Sequence, residues 1–390
     1  MARIPFAYSW RSLWARRLTT ALTVGGVALV VFVFAGVLML ARGLEATLVE
    51  TGSADNVIVL RRSATSELSS QIDRATADAL EAENGVAHAG DGRALLSREV
   101  MLVINLSKKK SGTLGNVSTR GVSPRALEVR RRVRMIQGRP FQFGTHEIVV
   151  GKSIAAQFKG VTLGAELAFA GDRWTIVGIM DAGGTGFDSE IWGDADQLMQ
   201  AAGRPVYSSL TFRLAEPAQF DQLKARLQAD PRFQSVELKH ERDYYKEQSQ
   251  TLAKFIRILG LVVTIIFSFG ATIGAMITMY AAVANRTVEV GTLRALGFRR
   301  RTVLAAFLVE SVVLALVGGG IGVALAGLLS FARISVVNFQ SFSEIGFGFA
   351  LSLGVVKNAL IFAVVMGVVG GFLPAARAAR LNIVNALRAS

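Results

Sequence analysis

The sequence predicts an α-helical membrane protein with four transmembrane helices and an extracytoplasmic mixed α+β domain of two lobes, inserted between the first and second spans. Three observations lead there. Residues 18–41 carry no charge between Arg17 and Arg42, and residues 258–285 none between Arg257 and Arg286. At about 1.5 Å of helix rise per residue, either run outspans a hydrocarbon core of about 30 Å. Two further apolar stretches, 302–332 and 351–373, are each interrupted by one ionisable residue, Glu310 and Lys357. Between the first two spans lies a long polar segment in which short alternating and helical patterns succeed one another.

This divides the chain into an N-terminal segment (1–17), a first span (18–41), an outer domain (42–254) and a second span (255–285). A loop (286–301), a third span (302–332), an outer loop (333–350), a fourth span (351–373) and a tail (374–390) follow.

The basic residues orient these pieces. Segment 1–17 has Arg3, Arg11, Arg16 and Arg17 and no acid, loop 286–301 has five arginines against Glu289, and the tail has Arg377, Arg380 and Arg388. Together they hold +11 of the formal +14, whereas residues 43–254 carry 27 basic against 26 acidic side chains. Because cytoplasmic loops retain Lys and Arg, both termini and loop 286–301 are expected inside and the large domain outside. The pI near 10.6 then reports topology. A nucleic-acid surface would concentrate its charge beside stacking aromatics, and no segment does so. Attraction of the same arginines to lipid headgroups would add to this reading. The 24-residue first run exceeds the apolar core of a signal peptide, so an uncleaved anchor is expected. There is no cysteine, which excludes disulfides and thiolate chemistry, so the outer domain must rest on an ordinary core.

Within that domain, residues 56–62 read as a strand and 67–83 as a helix, from apolar Leu68, Ile72, Ala75, Ala79 and Leu80. Residues 100–106 and 117–122 read as strands, with Pro124 opening a short helix and Arg130–Arg134 forming a basic, solvated face. A strand at 147–150 leads through Gly151 into a helix at 152–158. Residues 167–169 and 174–179 form a hairpin across Gly171 and Asp172, followed by a glycine-rich loop at 181–186. Strand 208–214, helix 217–228 and strand 236–238 complete a β-α-β pattern. From Glu241 a helix is expected to continue into the second span, since neither Pro nor Gly interrupts 241–259.

Several chemistries lack their residues. Gly151-Lys152-Ser153 resembles the end of a phosphate-binding loop, but His146 stands where the leading glycine belongs. His88, His146 and His240 have no metal-ligand spacing, and no Gly-x-Ser-x-Gly elbow exists. A binding or force-transmitting domain is the expectation, not a catalytic one.

The most specific segment is loop 286–301. Val290, Leu293 and Leu296 share one side of a short helix while Glu289 and Arg294 project elsewhere, and Gly297 sits where the helix would stop. Such a helix suits a partner's groove, or simply lies at the interface holding the loop. Glu310 within the third span is expected to bond polar groups of the bundle, and Lys357 to snorkel. Gly25, Gly26 and Gly36 in the first span, and Gly318, Gly319 and Gly322 in the third, would permit close helix contacts.

Here the chain resembles the permeases of MacB-type ABC transporters, the FtsX-like family. Their Arg-Thr-x-Glu-Ile-Gly-x-Leu-Arg-Ala-Leu-Gly run is matched by Arg286-Thr287-Val288-Glu289-Val290-Gly291-Thr292-Leu293-Arg294-Ala295-Leu296-Gly297. Phe307-Leu308-Val309-Glu310, the glycines at 318–322, Pro374-Ala375-Ala376-Arg377-Ala378-Ala379 and Ala386-Leu387-Arg388 extend the match. Asn382-Ile383 departs from the family's usual proline. Residues 147–194 are similar to the family's periplasmic core domain, and Trp10 to Thr20 to its N-terminal lead into a span.

The resemblance implies a non-catalytic subunit of a bacterial inner-membrane transporter, multi-pass with both termini cytoplasmic, that binds no cofactor and no nucleic acid. ATP and Mg would belong to a separate ABC ATPase, since the chain starts 17 residues before its first span and has no Walker motif. That ATPase would contact Arg286, Glu289, Gly291, Arg294, Ala295 and Gly297 of the coupling helix. It further implies a second permease copy as dimer partner, a periplasmic adaptor with an outer-membrane duct, and export or extraction of an amphiphilic, lipid or peptide cargo. Lipoprotein release, or FtsX-like regulation of a cell-wall hydrolase without transport, are the alternatives.

Overall fold

The computed structural model describes residues 17–338 and 343–381. The N-terminal lead at Trp10, and the Asn382-Ile383 and Ala386-Leu387-Arg388 motifs, lie outside them. The chain divides into two compact units: an outer unit of Leu44–Ala253 with Arg333–Phe347, and a membrane unit comprising the rest.

In the outer unit, the end of helix α1 (Arg17–Thr51) leads to β1 (Asn56–Arg61), α2 (Arg74–Glu81), β2 (Leu96–Ser107) and β3 (Leu114–Val122). Then come α3 (Ala126–Val129), β4 (Arg134–Gly138), β5 (Glu147–Gly151), α4 (Lys152–Gln157), β6 (Glu166–Phe169) and β7 (Asp172–Asp181). β8 (Glu190–Asp194), α5 (Ala195–Ala201), β9 (Ser209–Arg213), α6 (Phe220–Ala229) and β10 (Val236–His240) complete the run. The strands form one sheet in the order β10-β1-β9-β2-β3-β8-β5-β7-β4, with β6 hydrogen-bonded to β7. β2 joins its two halves: Leu96–Glu99 pair with β9, and Val100 onward with β3. One face buries Val57, Leu210, Phe212 and Trp174 among others, and the opposite face Ile58, Met180, Phe187 and Trp192. With both faces covered, strand residues of either parity are buried.

Several expectations shift. The helix predicted over 67–83 occupies only α2, because Asp73 caps it by accepting from the Thr76 N–H at 2.8 Å. Residues upstream are drawn instead into turns that bury Glu67. β4, β8 and α5 were not anticipated as elements; α5 begins where the Asp194 side chain accepts from the Asp196 N–H. The expected hairpin forms, but its turn is Ala170-Gly171, both at positive φ, with Asp172 already paired to Phe169. The outer loop predicted over 333–350 is not loop throughout.

α7 (Glu241–Ala284) is one unbroken helix of 44 residues. α8 (Thr287–Ala295), α9 (Arg300–Leu328), the paired strands β11 (Arg333–Val337) and β12 (Glu344–Gly348), and α10 (Leu353–Ala379) follow. The β-branched Ile334, Val336 and Val337 suit a strand, and the pair joins the outer unit through Ser118 Oγ to Ser343 Oγ at 2.7 Å and Lys108 to Glu344 at 2.6 Å.

Among the described residues four helices, α1, α7, α9 and α10, are long and apolar enough to cross a membrane. Small residues set their separations. A Cβ added to Gly318 or Gly322 would come within 2.7 or 2.5 Å of the Val24 or Ala28 carbonyl oxygen of α1. A Cβ on Gly319 or Gly367 would lie 2.7 Å from an alanine methyl of the facing helix, Ala363 or Ala315. Gly25 and Gly26 differ from the expectation: nothing lies within 4 Å of a Cβ at either, so neither forms a close helix contact within the chain.

Candidate functional site

The segment between α7 and α9 is held from three sides. As α7 ends, the Thr287 hydroxyl donates to the Ala284 carbonyl at 2.7 Å, and Val290 enters an apolar cluster with Met279, Val283, Val303, Phe307, Ala375 and Ala378. Arg286 turns inward and pairs with Glu310 of α9, Nη1 to Oε2 at 2.9 Å, both side chains buried. Arg294 donates from Nη1 to the carbonyls of Ala379 at 3.2 Å and Leu381 at 3.1 Å, a cation on the C-terminal end of α10 where helix carbonyls lack partners. Gly297 closes α8 at φ +91°, the left-handed region expected of it.

These contacts sort the predicted residues. Glu289, Ala295 and Gly297 are exposed, Gly291 is buried, Arg294 is half-buried and Arg286 is buried. The arginines therefore fasten the helix rather than present themselves. Leu296 was expected on the inner side with Val290, but it is 72% exposed. The C-cap lies there, and the chain turns away before Leu296 can reach the cluster. With Val288 and Thr292 also exposed, the open face of α8 carries Val288, Glu289, Thr292, Ala295 and Leu296. Glu310 has the polar partner expected of it, and Lys357 is exposed.

The outer unit contains a charge cluster that sequence reasoning missed. Arg120, on β3 and 1% exposed, donates to Glu67 at 2.6 and 3.0 Å, Glu99 at 2.6 Å and Glu190 at 2.8 Å through both its forks. Arg130 donates to Glu99 at 2.9 Å and Thr211 at 3.0 Å, and pairs with Glu241, the first residue of α7, at 3.2 Å. Glu241 also accepts from Asn56 Nδ2 at 2.9 Å and the Ser53 N–H at 3.0 Å. The Phe187 ring lies 4.4 Å from the Arg130 guanidinium carbon. Two guanidiniums thus meet four carboxylates without bulk water. Burial raises the Glu67 carboxyl, yet Arg120 and Arg130 hold it below its ordinary value. For Glu99 burial wins, and its carboxyl is pushed up. Arg130 therefore departs from the solvated face expected of 130–134.

The segment that looked like a phosphate loop is committed elsewhere. Lys152 pairs with Asp181 and Asp188, and a Cβ on Gly151 would sit 2.2 Å from the Asp188 carbonyl oxygen. Among the described residues no group of three His, Cys, Asp or Glu side chains is disposed to hold a metal.

Comparison with known proteins matches both units. Residues 20–230 fit the MacB-like periplasmic core domain and residues 261–383 the FtsX-like permease C-terminal domain. The macrolide export ATP-binding/permease protein MacB of Nitrosomonas europaea is 25% identical over 406 residues, covering 97% of this chain and 58% of that protein. MacB of Hahella chejuensis is 27% identical over 251 residues, 61% of this chain and 36% of its own. The pyoverdine export ATP-binding/permease protein PvdT of Pseudomonas fluorescens is 36% identical over 173 residues, 43% of this chain and 24% of its own. The chain thus spans between 24% and 58% of the length of these curated relatives. Four apolar helices, an α+β domain placed after the first of them, and matches along both units make the chain a membrane protein of the MacB-type, FtsX-like family of ABC transporter permeases.

Proposed function

We propose that the chain is the membrane subunit of an ABC exporter of the inner membrane and passes ATP-driven motion to its outer unit. The motor is an ABC ATPase on a separate chain, carrying ATP and Mg, docked against the open face of α8. Both termini and α8 lie in the cytoplasm, a reading that the arginine distribution supports. The permease works as a dimer, beside a periplasmic adaptor and outer-membrane duct, on an amphiphilic, lipid or peptide cargo. The two halves of the sheet joined by β2 serve as the two lobes of the outer domain.

One observation carries this reading. α8 is fastened to α9 through Arg286–Glu310 and to α10 through Arg294, yet exposes Val288, Glu289, Ala295 and Leu296 on its other face. A helix anchored behind and apolar in front is built to be pushed: load on the open face reaches two spans through short, directional bonds. The Val288→Asp/Leu296→Asp variant tests it, because it leaves every internal tie in place. In membranes of the native cell it should insert normally but lose co-purifying ATP hydrolysis by at least about tenfold, as loss of central apolar contacts does. Hydrolysis equal to that carried by the wild-type chain would overturn the docking assignment.

A further inference from the structure

The basic run after α3 contributes one arginine to the core and three to the surface. Arg130 is clamped by Glu99 and Glu241, and Val133 is buried, so the backbone carrying Arg131, Arg132 and Arg134 is fixed on both sides. Its partner Glu241 immediately precedes Arg242, and a Cβ on Gly52 would stand only 2.6 Å from the Arg242 Cα. One buried ion pair therefore fastens together two segments whose next residues are arginines. Beside those arginines opens a cleft of about 890 Å³, lined by residues 49, 50, 52–55, 131, 132, 134, 136, 181–183 and 242.

The charges in this cleft are unevenly matched. Arg132 donates to the Glu50 carbonyl at 2.8 Å, which aims its guanidinium, while Arg131, Arg134 and Arg242 have no ion-pair partner among the described residues. Of the acids that line it, Asp181 is engaged by Lys152 and the Gly183 N–H, which leaves Glu50 and Asp55 against four arginines. Burial and the neighbouring Arg131 hold the Arg213 guanidinium below its ordinary value, with Asp55 opposing, as expected where positive charge accumulates. By contrast Arg98, Arg125, Arg139 and Arg232 of the same unit all meet carboxylates.

We propose that this cleft binds a phosphate group, with Arg131, Arg134 and Arg242 as its ligands and Arg132 as a fixed wall. Guanidinium forks match phosphate oxygens in pairs, and their preorganisation by Arg130–Glu241 lowers the ordering cost of binding. The phosphate comes either from a phospholipid headgroup or from free phosphate. Residues 49–55 follow Arg42, the end of the uncharged first run, by a few positions along the chain, which puts a headgroup within consideration. The site goes beyond the exporter reading and is measured without any ATPase.

The experiment uses the full chain in micelles of a maltoside detergent, which carries no phosphate, titrated calorimetrically with inorganic phosphate at low and high salt. Wild-type protein should bind in a salt-sensitive manner. The Arg131→Gln/Arg134→Gln/Arg242→Gln variant should lose at least about tenfold in affinity, as removal of charge-assisted bonds does. Arg61→Gln/Arg62→Gln/Arg93→Gln, which removes the same charge from exposed positions elsewhere, should bind as wild type. A second arm incorporates phosphatidylglycerol. Blocked phosphate binding then identifies the headgroup as the source, and unchanged binding identifies free phosphate. Each single variant at 131, 134 and 242 should show a partial loss, which guards against a misfolded triple. Equal affinity of the cleft triple and the control triple, or no phosphate or lipid binding by the wild type, overturns the site.

Discussion

The two units bury arginine–glutamate pairs in opposite styles. In the membrane unit Arg286 pairs with Glu310 at 2.9 Å, with apolar residues around the pair. The outer unit gathers Arg120 and Arg130 among Glu67, Glu99, Glu190 and Glu241, with each guanidinium shared by two or more carboxylates. The difference lies in what removing one member leaves behind. In the pair, one orphaned charge can be matched by a single compensating change. In the cluster, one arginine holds several acids apart, and no single substitution restores the balance.

The largest expected effect therefore falls on Arg120. Arg120→Met strands Glu67, Glu99 and Glu190 without their shared cation, a cost of about 3–5 kcal/mol, on the scale of a domain's whole stability. Limited proteolysis of the full chain should show the outer unit degraded while the membrane unit remains protected. An outer unit as resistant as wild type would remove the cluster from any role in stability.

Next comes the pair. Glu310→Leu removes the carboxylate that Arg286 pairs with inside the bundle and should lower the thermal midpoint of the purified chain by several degrees, about 3 kcal/mol in such cases. Arg286→Leu/Glu310→Leu should recover most of that loss, since a well-packed apolar pair often replaces an ion pair without penalty. If the double variant is as unstable as the sum of the two single ones, the pair is not an independent unit, and the contrast with the cluster fails.

This contrast also explains what could be read from the chain. The spans, the unbroken α7 and the Gly297 stop follow from local rules: charge-free length, absence of breakers, and the left-handed preference of glycine. The open face of α8 was legible only in part, because Leu296 depends on where the cap turns the chain. The cluster was not legible at all. Glu67, Glu99, Arg120, Glu190 and Glu241 lie on five separate segments that only the strand order brings together; in that register Arg120 faces Met101 on β2 and Trp192 on β8. Strand β2 begins four residues before the apolar run that signals it, which hid Glu99 inside an expected loop. Likewise Arg130 and Arg131 are adjacent in sequence, yet one is fully buried and the other exposed.

The smallest expected effect separates two members of the cluster by sign. Glu67 and Glu99 share Arg120, but the first carboxyl is held below its ordinary value and the second pushed above it. A depressed acid adds stability that is complete above its unfolded value, about 4.3, and is lost as pH falls through its lower folded value. A raised acid does the reverse: it costs stability above its folded value, and that cost disappears as pH falls toward about 4.3. Acidifying from neutrality should thus first favour the outer unit through Glu99 and then disfavour it through Glu67. Glu99→Gln, which mimics the protonated form, should flatten the first limb. Glu67→Gln should lower the curve at neutral pH and flatten the second. Thermal unfolding followed through buried Trp192, whose Nε1 donates to Glu190 at 2.7 Å, reports on this neighbourhood directly. Curves for both variants that run parallel to wild type at every pH would mean the two carboxylates titrate alike, and that the shared arginine does not divide them.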